Sequence, residues 1–516
     1  MKKLLLLLVL ISAKSIGQTT TRSFPLPASS TNYSFGSSAP IKPTPDGGYL
    51  LNYSYSYPNW DVAPGYQSTV IKTDSNFNPL WKSRLPGGNG KNTILLDDGS
   101  SLFFTDSGNL VKLAANGQTI FSIGNFVTYP DRVNITGAEL IGTTIKAVGS
   151  KDTYNGFGYV TTSVPVLIDF DSDGNVATTF TLTGSPAFGR PANITSDASG
   201  NFYITGYVDG GNYICKIDAS NNVQWCRKFK ASNNDNSSLG VNAMTILPNG
   251  EVLLAGRFYN YSTSAGALFI YRLSADGNQI SAKTIDTYES GITSVSRLPN
   301  SEIVATGSLR EDVGSIDRMF SMKLNSNCEF LWLKRYNYGF GMSAPFQKTD
   351  SNWYYAAFHN NYAFDNNPIL FSTDSDGQTD CDYSSLNLNF VDLPLFFSTL
   401  NLTLTANPTL LGPPSTINPF ASENQTFTDA CISLGADEFP RNDKLSVFPN
   451  PSKREINVVC ESQIKSIEVF NALGQKVKNY DINALETLIS IEKAGVYLLQ
   501  VTTQNGVRNA KVVISE

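Results

Sequence analysis

Short apolar runs broken by Gly, Asn, Asp and Pro fill this chain, the pattern of half-buried strands joined by tight turns. The runs also repeat. Segments 71–81, 215–225 and 322–332 superpose without gaps, each placing a polar Asp74, Asp218 or Asn325 seven residues ahead of Trp81, Trp225 or Trp332. Segments 113–117, 170–174, 273–277 and 373–377 share the frame more loosely. The anchors at 74, 114, 171, 218, 274, 325 and 374 lie about 50 residues apart on average. Each copy reads as strand, four-residue turn, strand, which is a β-hairpin. A second hairpin signal precedes it at 45–51, 97–103, 197–204, 247–254 and 298–304, and the segments around Gly142 and Asn352 fill the remaining two slots.

Two hairpins per repeat predict a four-stranded antiparallel sheet. Such a sheet cannot bury both faces alone, so its neighbours must stack on it, and a ring of such sheets is a β-propeller. The expected fold is all-β, with a seven-bladed β-propeller over 18–383. Residues 384–440 alternate at 386–390 and 400–404 and then turn rich in proline. They read as closing strands of the last blade plus a linker, the linker proper at 433–444. Alternation resumes from 445 to 515, broken at 449–451, 473–475, 494–495 and 505–506. About seven strands in about 70 residues fit a small C-terminal β-sandwich over 441–516.

The turn residues of that last segment carry a resemblance. Pro449-Asn450-Pro451, Gly474-Gln475, Gly495-x-Tyr497 and a late Lys511 occur in the order and spacing of the type A C-terminal sorting domain of proteins exported by the type IX secretion system of Bacteroidota. The likeness covers a seventh of the chain. It implies recognition by the outer-membrane translocon, cleavage in the linker and attachment of the cargo to surface lipopolysaccharide. The run from Gly200 to Gly206, with the Lys216-x-Asp218 and Trp225 that follow, resembles the bacterial β-propeller repeat family.

The N-terminus agrees with export. Lys2-Lys3 and the apolar run from Leu4 to Ile11 read as a signal peptide over 1–17, with Ser15-Ile16-Gly17 supplying small residues for cleavage before Gln18. No later stretch has the length of a transmembrane helix. The expected location is therefore the cell surface or the medium, reached through the periplasm.

A net charge of −6 argues against nucleic acid, which requires a basic face. Only 16% of residues are charged, as suits a turn-rich extracellular protein. Six cysteines in an exported chain permit disulfides. Cys215 and Cys226 flank a repeat hairpin and can face each other across it, and Cys381 and Cys431 bracket the irregular segment. Cys328 and Cys460 read as unpaired. Asp169, Asp171 and Asp173 ahead of Gly174 open like a calcium loop, yet no bidentate Glu follows, and the turn chemistry of the repeat explains Asp and Gly at this place. No other cofactor is expected.

Catalysis has little to build on. His359 is the single histidine, so a serine triad or cysteine dyad would have to use it, and no carboxylate pair stands out. The repeat tryptophans read as packing between blades. Trp60 with Tyr53, Tyr55, Tyr57 and Tyr66 forms an aromatic excursion outside the repeat frame, the place where a ligand face would arise. The expected function is a surface-delivered binding or adhesion module for an extracellular glycan or protein. The alternative is a secreted polysaccharide hydrolase or lyase with its site in the propeller funnel.

Overall fold

The computed structural model describes residues 21–24, 31–34, 41–56, 66–85, 90–105, 108–124, 126–127, 130–231, 237–262, 265–285, 289–298, 300–310, 318–336, 346–347, 353–358, 368–379, 383–412, 415–416, 422–423, 428–429, 445–503 and 506–515. The expected signal peptide over 1–17, Tyr57, Trp60, His359, Cys381, Cys431 and the expected linker at 433–444 lie outside them. The chain divides into two compact units, residues 1–431 and 432–516. Among the described residues there is no helix.

Seven sheets occur in the first unit among the described residues, each an antiparallel meander in chain order. The fourth is typical: Phe188–Ser196, Phe202–Val208, Gly211–Ile217 and Val223–Lys230 pair in sequence. The others take residues 31–85, 90–124, 131–184, 237–285, 289–336 and 346–373. The seventh meander has only three strands of its own. Its fourth is the N-terminal strand Thr21–Ser23, with Thr21 opposite Phe371. The first described strand thus completes the last repeat, and the series closes on itself as a propeller does.

Why Asp or Asn marks five of the seven anchors is visible in the second hairpin turn. In five turns one anchor oxygen accepts the backbone N–H groups two and four residues on: Asp74, Asp171, Asp218, Asn325 and Asp374 do so at 2.8–2.9 Å. This local bonding is what Asx side chains offer a turn. The turn's fourth residue has positive φ, a conformation glycine adopts without strain. It is Gly117, Gly174, Gly277 or Gly377 in four blades, but Phe77, Asn221 and Cys328 in the other three.

Two of the three exceptions, Asn221 and Cys328, follow from what the preceding blade delivers. Trp81, Phe121, Trp225 and Trp332 lie against Gly117, Gly174, Gly277 and Gly377 of the next blade, so closely that a Cβ there would stand 2.6–2.7 Å from the ring. Trp81 and Trp225 also donate their indole N–H to the carbonyls of Ala115 and Ala275 in the same turns, both at 3.0 Å. Where the aromatic position holds Thr178 or Ser281, the next turn carries Asn221 or Cys328 instead. A large ring requires a glycine, and a small residue leaves room for a side chain. The tryptophans therefore pack between blades.

A second device ties the two hairpins of a blade together. Lys72 pairs with Asp46 at 2.7 Å, Lys323 with Glu302 at 2.7 Å, and Arg272 with Glu251. In each case a cation two residues before the anchor meets a carboxylate of the preceding hairpin. The third blade reverses the signs: Asp169 occupies the cation's place and pairs with Lys146 at 2.9 Å.

The largest departure from the sequence reading lies at 383–429. These residues do not close the last blade. They form a belt that visits every sheet in reverse order, adding one outer strand to each. Tyr383–Leu386 pairs with the sixth sheet, Phe390–Asp392 with the fifth, Phe396–Thr399 with the fourth and Leu402–Ala406 with the third. Ser415–Thr416, Ser422–Glu423 and Thr428–Asp429 then cover the second, first and seventh. The belt keeps time with the blades. Leu386 lies opposite Leu333, and the N–H groups of Leu393, Leu400 and Asn407 donate to the carbonyls of Ala282, Cys226 and Thr179. Those four partners each stand eight positions past their anchor, so the belt advances seven residues per blade, about 23 Å of extended chain. Leu388, Leu393, Leu400, Leu402 and Leu410 are buried against the blades beneath. An uncovered outer strand would present a row of unpaired N–H and C=O groups; the belt covers all seven.

The second unit is one sheet, ordered Leu445–Phe448, Glu455–Asn471, Gly495–Thr503, Gly506–Ile514, with Lys476–Ser490 also on Glu455–Asn471. The apolar pairs at 456/458 and 467/469 belong to a single long strand whose register breaks between Val459 and Ile464. That is why there are five strands where the sequence suggests about seven. Ile456, Val458, Ile464, Ile467, Val469, Leu499 and Val501 form its core.

Candidate ligand-binding face

The two ends of the blades differ in kind. At one end lie the two hairpin turns of every repeat, short and alike. At the other end lie the connections between second and third strands and between blades, which vary in length from the two residues 209–210 and the Asn155 turn upward. The strand ends Ser56, Tyr66, Phe358 and Pro368 lie at this end; Tyr57, Trp60 and His359 fall outside the described residues.

The structure divides the proposed aromatic group. Tyr53 is fully buried in the first blade's core, beside Leu51 and Ile71. Tyr55 and Tyr66 stand on paired strands, opposite Gln67 and Ser56. Tyr53, Tyr55 and Tyr66 are therefore inside the repeat frame and not in an excursion, because the strands run longer than the period-two signal alone indicates. The aromatic groups exposed at this end that the sequence does not single out are Phe157 (88% exposed) and Tyr159 on the third blade's hairpin, Tyr207 on the fourth and Tyr261 on the fifth.

Charged side chains crowd the inner strands at the same end. Asp131 and Lys151 pair at 3.0 Å, and the Thr153 hydroxyl and Lys151 ammonium hold the Asp131 carboxyl below its ordinary range. Arg132 stacks over the Tyr154 ring at 5.3 Å. Asp152 has no exposed side-chain surface; it accepts from Asn134 Nδ2, from Ser163 Oγ at 2.6 Å and from Arg190 Nη2. Glu289 accepts from Arg257 Nη2 through one oxygen and from Arg310 Nη1 at 3.2 Å through the other. Arg257 also lies over the Tyr259 ring, which meets Tyr261 edge-on at 5.2 Å. Sequence reading misses this set because its members lie 20 to 40 residues apart, each at a strand end without a motif.

Besides the buried Lys146–Asp169 pair, the turn end holds the part-buried Lys42 and Glu139. Burial lowers the Lys42 ammonium and raises the Glu139 carboxyl; each charge partly offsets the other, and Ser196 donates to Glu139 through its backbone N–H and hydroxyl.

The calcium reading fails on geometry. Asp169 turns into Lys146 as a charge-reversed copy of the repeat's cation, and Asp171 spends both oxygens on its own turn. Asp173 reaches Lys112 at 3.4 Å. No group of three metal-ligating side chains forms among the described residues. Cys215 and Cys226, directly opposite in register, are joined in a disulfide. Cys328 and Cys460 are free thiols, and burial pushes Cys328 up to about 11.

The motif residues of the second unit are structural fasteners. Asn450, between Pro449 and Pro451, donates to the Lys511 carbonyl at 2.8 Å and accepts from the Val513 N–H at 2.9 Å, tying the opening loop to the last strand. Asn471 holds the turn at Gly474 by accepting from the backbone N–H of Leu473 and Gln475. The Tyr497 hydroxyl donates to the Lys493 carbonyl, two residues before Gly495. Gly474, Tyr497 and Lys511 line one open groove of about 550 Å³ with Phe470 and Leu498.

Comparison with known proteins bears on the two units differently. BamB from Moraxella catarrhalis is 11% identical with a TM-score of 0.33, covering 67% of this chain and 99% of that one. The β-propeller domain of Cps50 (Swd1) from Myceliophteria thermophila is 11% identical with a TM-score of 0.40, covering 68% and 99%. These values are too low to carry an argument; the propeller rests on the sheet order above. No curated protein matches the chain. Residues 446–515 match the family of secretion system C-terminal sorting domains. That stretch is a type IX sorting domain, and the protein is accordingly exported across the outer membrane to the cell surface or beyond.

Proposed function

We propose that this protein is a surface-delivered binding or adhesion module, a seven-bladed propeller that meets an extracellular glycan or protein through its loop-bearing end. The single observation that carries the reading is the contrast between the two blade ends. At one end recur seven turns of one four-residue frame, whereas exposed Phe157, Tyr159, Tyr207 and Tyr261 and part-exposed arginines gather at the other. The C-terminal unit, read as a small sandwich, serves as the export address handled by the translocon, with processing in the linker and attachment to lipopolysaccharide. The carboxylates named at the loop end, Asp131, Asp152 and Glu289, are each held by a cation, which favours binding over hydrolysis or elimination. Incubating the mature chain with a panel of polysaccharides and glycoproteins tests this: retention without released products is expected, and released fragments would overturn it.

The belt gives the pairing of Cys381 with Cys431 a purpose. The belt begins just after the seventh blade's last turn at Asp374 and ends with Thr428–Asp429 on that same sheet. A bond between the two cysteines would close it into a covalent hoop. Peptide mapping without reductant is expected to recover the linked pair; recovery of both as free thiols would refute it.

A further inference from the structure

The second unit closes one edge of its sheet and leaves one face bare. At the edge, the Ser452 N–H donates to the Val513 carbonyl and the Val513 N–H to Asn450 Oδ1, while Asn450 Nδ2 donates to the Lys511 carbonyl. These bonds take up backbone groups on the outer side of Gly506–Ile514, which leaves that edge closed to a further strand. The outward face is different. Phe470 lies opposite Leu498, Leu498 opposite Lys511 and Gln500 opposite Asn509, and directly opposed residues share a face. Phe470, Leu498 and Lys511 therefore form one row across three strands, with Val496 beside it. Val496 and Leu498 are 43% and 46% exposed, whereas Tyr497, Leu499 and Val501 turn into the core.

The row lines the open groove of about 550 Å³, together with Gln500 and Asn509. Asn450, Gln475 and Tyr497 spend their side-chain polar atoms inside the unit. Among the described residues, the Lys511 ammonium and the Gln500 and Asn509 amides have no such bond. At the other end of the row Lys476, opposite Phe470, is taken by Glu468 at 2.8 Å. Lys511 is thus the cation of the row that no described carboxylate meets.

We propose that this face is the surface by which the export machinery holds the sorting domain, and that its occupant is an extended protein segment with a carboxylate for Lys511 and an apolar residue for Phe470 and Leu498. Across three strands the row spans about 10 Å, the length of three extended residues. The two amides offer the donors and acceptors that a peptide backbone requires and an acyl chain does not. The inference rests on the reading of this unit as the export address, and says which face is read.

The test follows export of the full-length chain in cells that secrete it, as the ratio of surface and medium to periplasm. Lys511→Glu sets like charges together and Leu498→Thr removes the apolar contact; each should lower that ratio about tenfold. Lys511→Arg should keep it, and so should Leu488→Thr, at a residue 55% exposed outside the groove. All variants are compared at matched melting midpoint. With Gln500 replaced by p-benzoylphenylalanine, irradiation during export should link the chain to an envelope protein, at a peptide holding Asp or Glu within about three residues of an apolar one. Wild-type export of Lys511→Glu and Leu498→Thr would overturn the face, as would a link to a second copy, to lipopolysaccharide or to nothing. Deletion of 446–515 separates the two readings: undiminished export would remove the address itself, whereas blocked export beside fully exported point variants would remove only this face.

Discussion

Every blade of this propeller is built from two kinds of strand. Its first four come from the repeat, except in the seventh blade, where the N-terminal strand stands in for the last. Its fifth comes from a belt with no hairpin in it. The four inner strands are joined by tight turns whose Asp or Asn anchors bond their own backbone, so each strand's partner lies within about twenty residues of it. The belt strands find partners 47 to 407 residues away, from Tyr336 with Tyr383 to Arg22 with Asp429. The repeat supplies the core and the inter-blade contacts. The belt supplies edge protection, with leucines at the depth of a shallow outer layer. A sheet can therefore be specified locally while its edge is specified from the far side of the molecule.

That division predicts a ranking of effects. The largest belongs to the interlock between blades: Gly117→Val sets a Cβ 2.6 Å from the Trp81 ring at a φ of +83°, and overpacking together with backbone strain should cost about 3 kcal/mol or more. Urea unfolding measures it. Recovery on pairing Gly117→Asn with Trp81→Thr, after the Thr178–Asn221 junction, would establish the size rule; additive losses would break it.

Belt substitutions should cost less. Leu400→Ala and Leu402→Ala, at residues 8% and 7% exposed, are each expected to lose about 2 kcal/mol, the low end for buried leucine. Proteolysis should then cut within 383–412 before it cuts the blades. Simultaneous cleavage of both would mean that the belt and the repeats are one cooperative unit after all.

Replacing Cys215 and Cys226 by Ala removes a link across a hairpin already zipped by its own ladder. A loop of 11 residues and a pre-formed turn suggest a loss of about 2 kcal/mol or less, read as a lower thermal midpoint. Loss of the fourth blade alone in hydrogen exchange would place the disulfide's effect within one repeat.

The smallest effect is at Asp46. Hydrogen bonds from the Lys72 ammonium and the Thr44 hydroxyl hold its carboxyl at about 2, below the ordinary 3.8. A depressed carboxylate stabilises the fold above the unfolded value, and that contribution fades as pH falls from about 4 toward 2. Lys72→Met should return the Asp46 titration in NMR toward 3.8; an unchanged titration would remove Lys72 as the cause.

Hydrophobic periodicity and turn residues made the four-stranded repeats, the export address and the Cys215–Cys226 link legible, because each rests on residues near one another in sequence. The same closeness misled at Asp169, where three carboxylates two residues apart point to different partners because the strand ends at Phe170 and Asp171 and Asp173 belong to the turn. Tyr53 misled in the opposite way: a cluster of tyrosines reads as a surface loop until strand pairing places Tyr53 in the core. The belt did leave a trace, Leu386, Leu393 and Leu400 seven apart. A seven-residue step has no meaning in an isolated strand, though; it becomes interpretable only as the distance between neighbouring blades.

From its sequence alone this protein is an exported, all-β repeat chain with a sorting domain, since signal, turn and hairpin chemistry act over a few residues and need no partner from afar. Which residues meet at the loop end, which cations face which carboxylates, and how residues 383–429 cover all seven edges were decided only by strand pairing, the packing of neighbouring blades and ring closure. Closing the ring brings together groups up to 407 residues apart, and at such separations no local propensity can encode a contact.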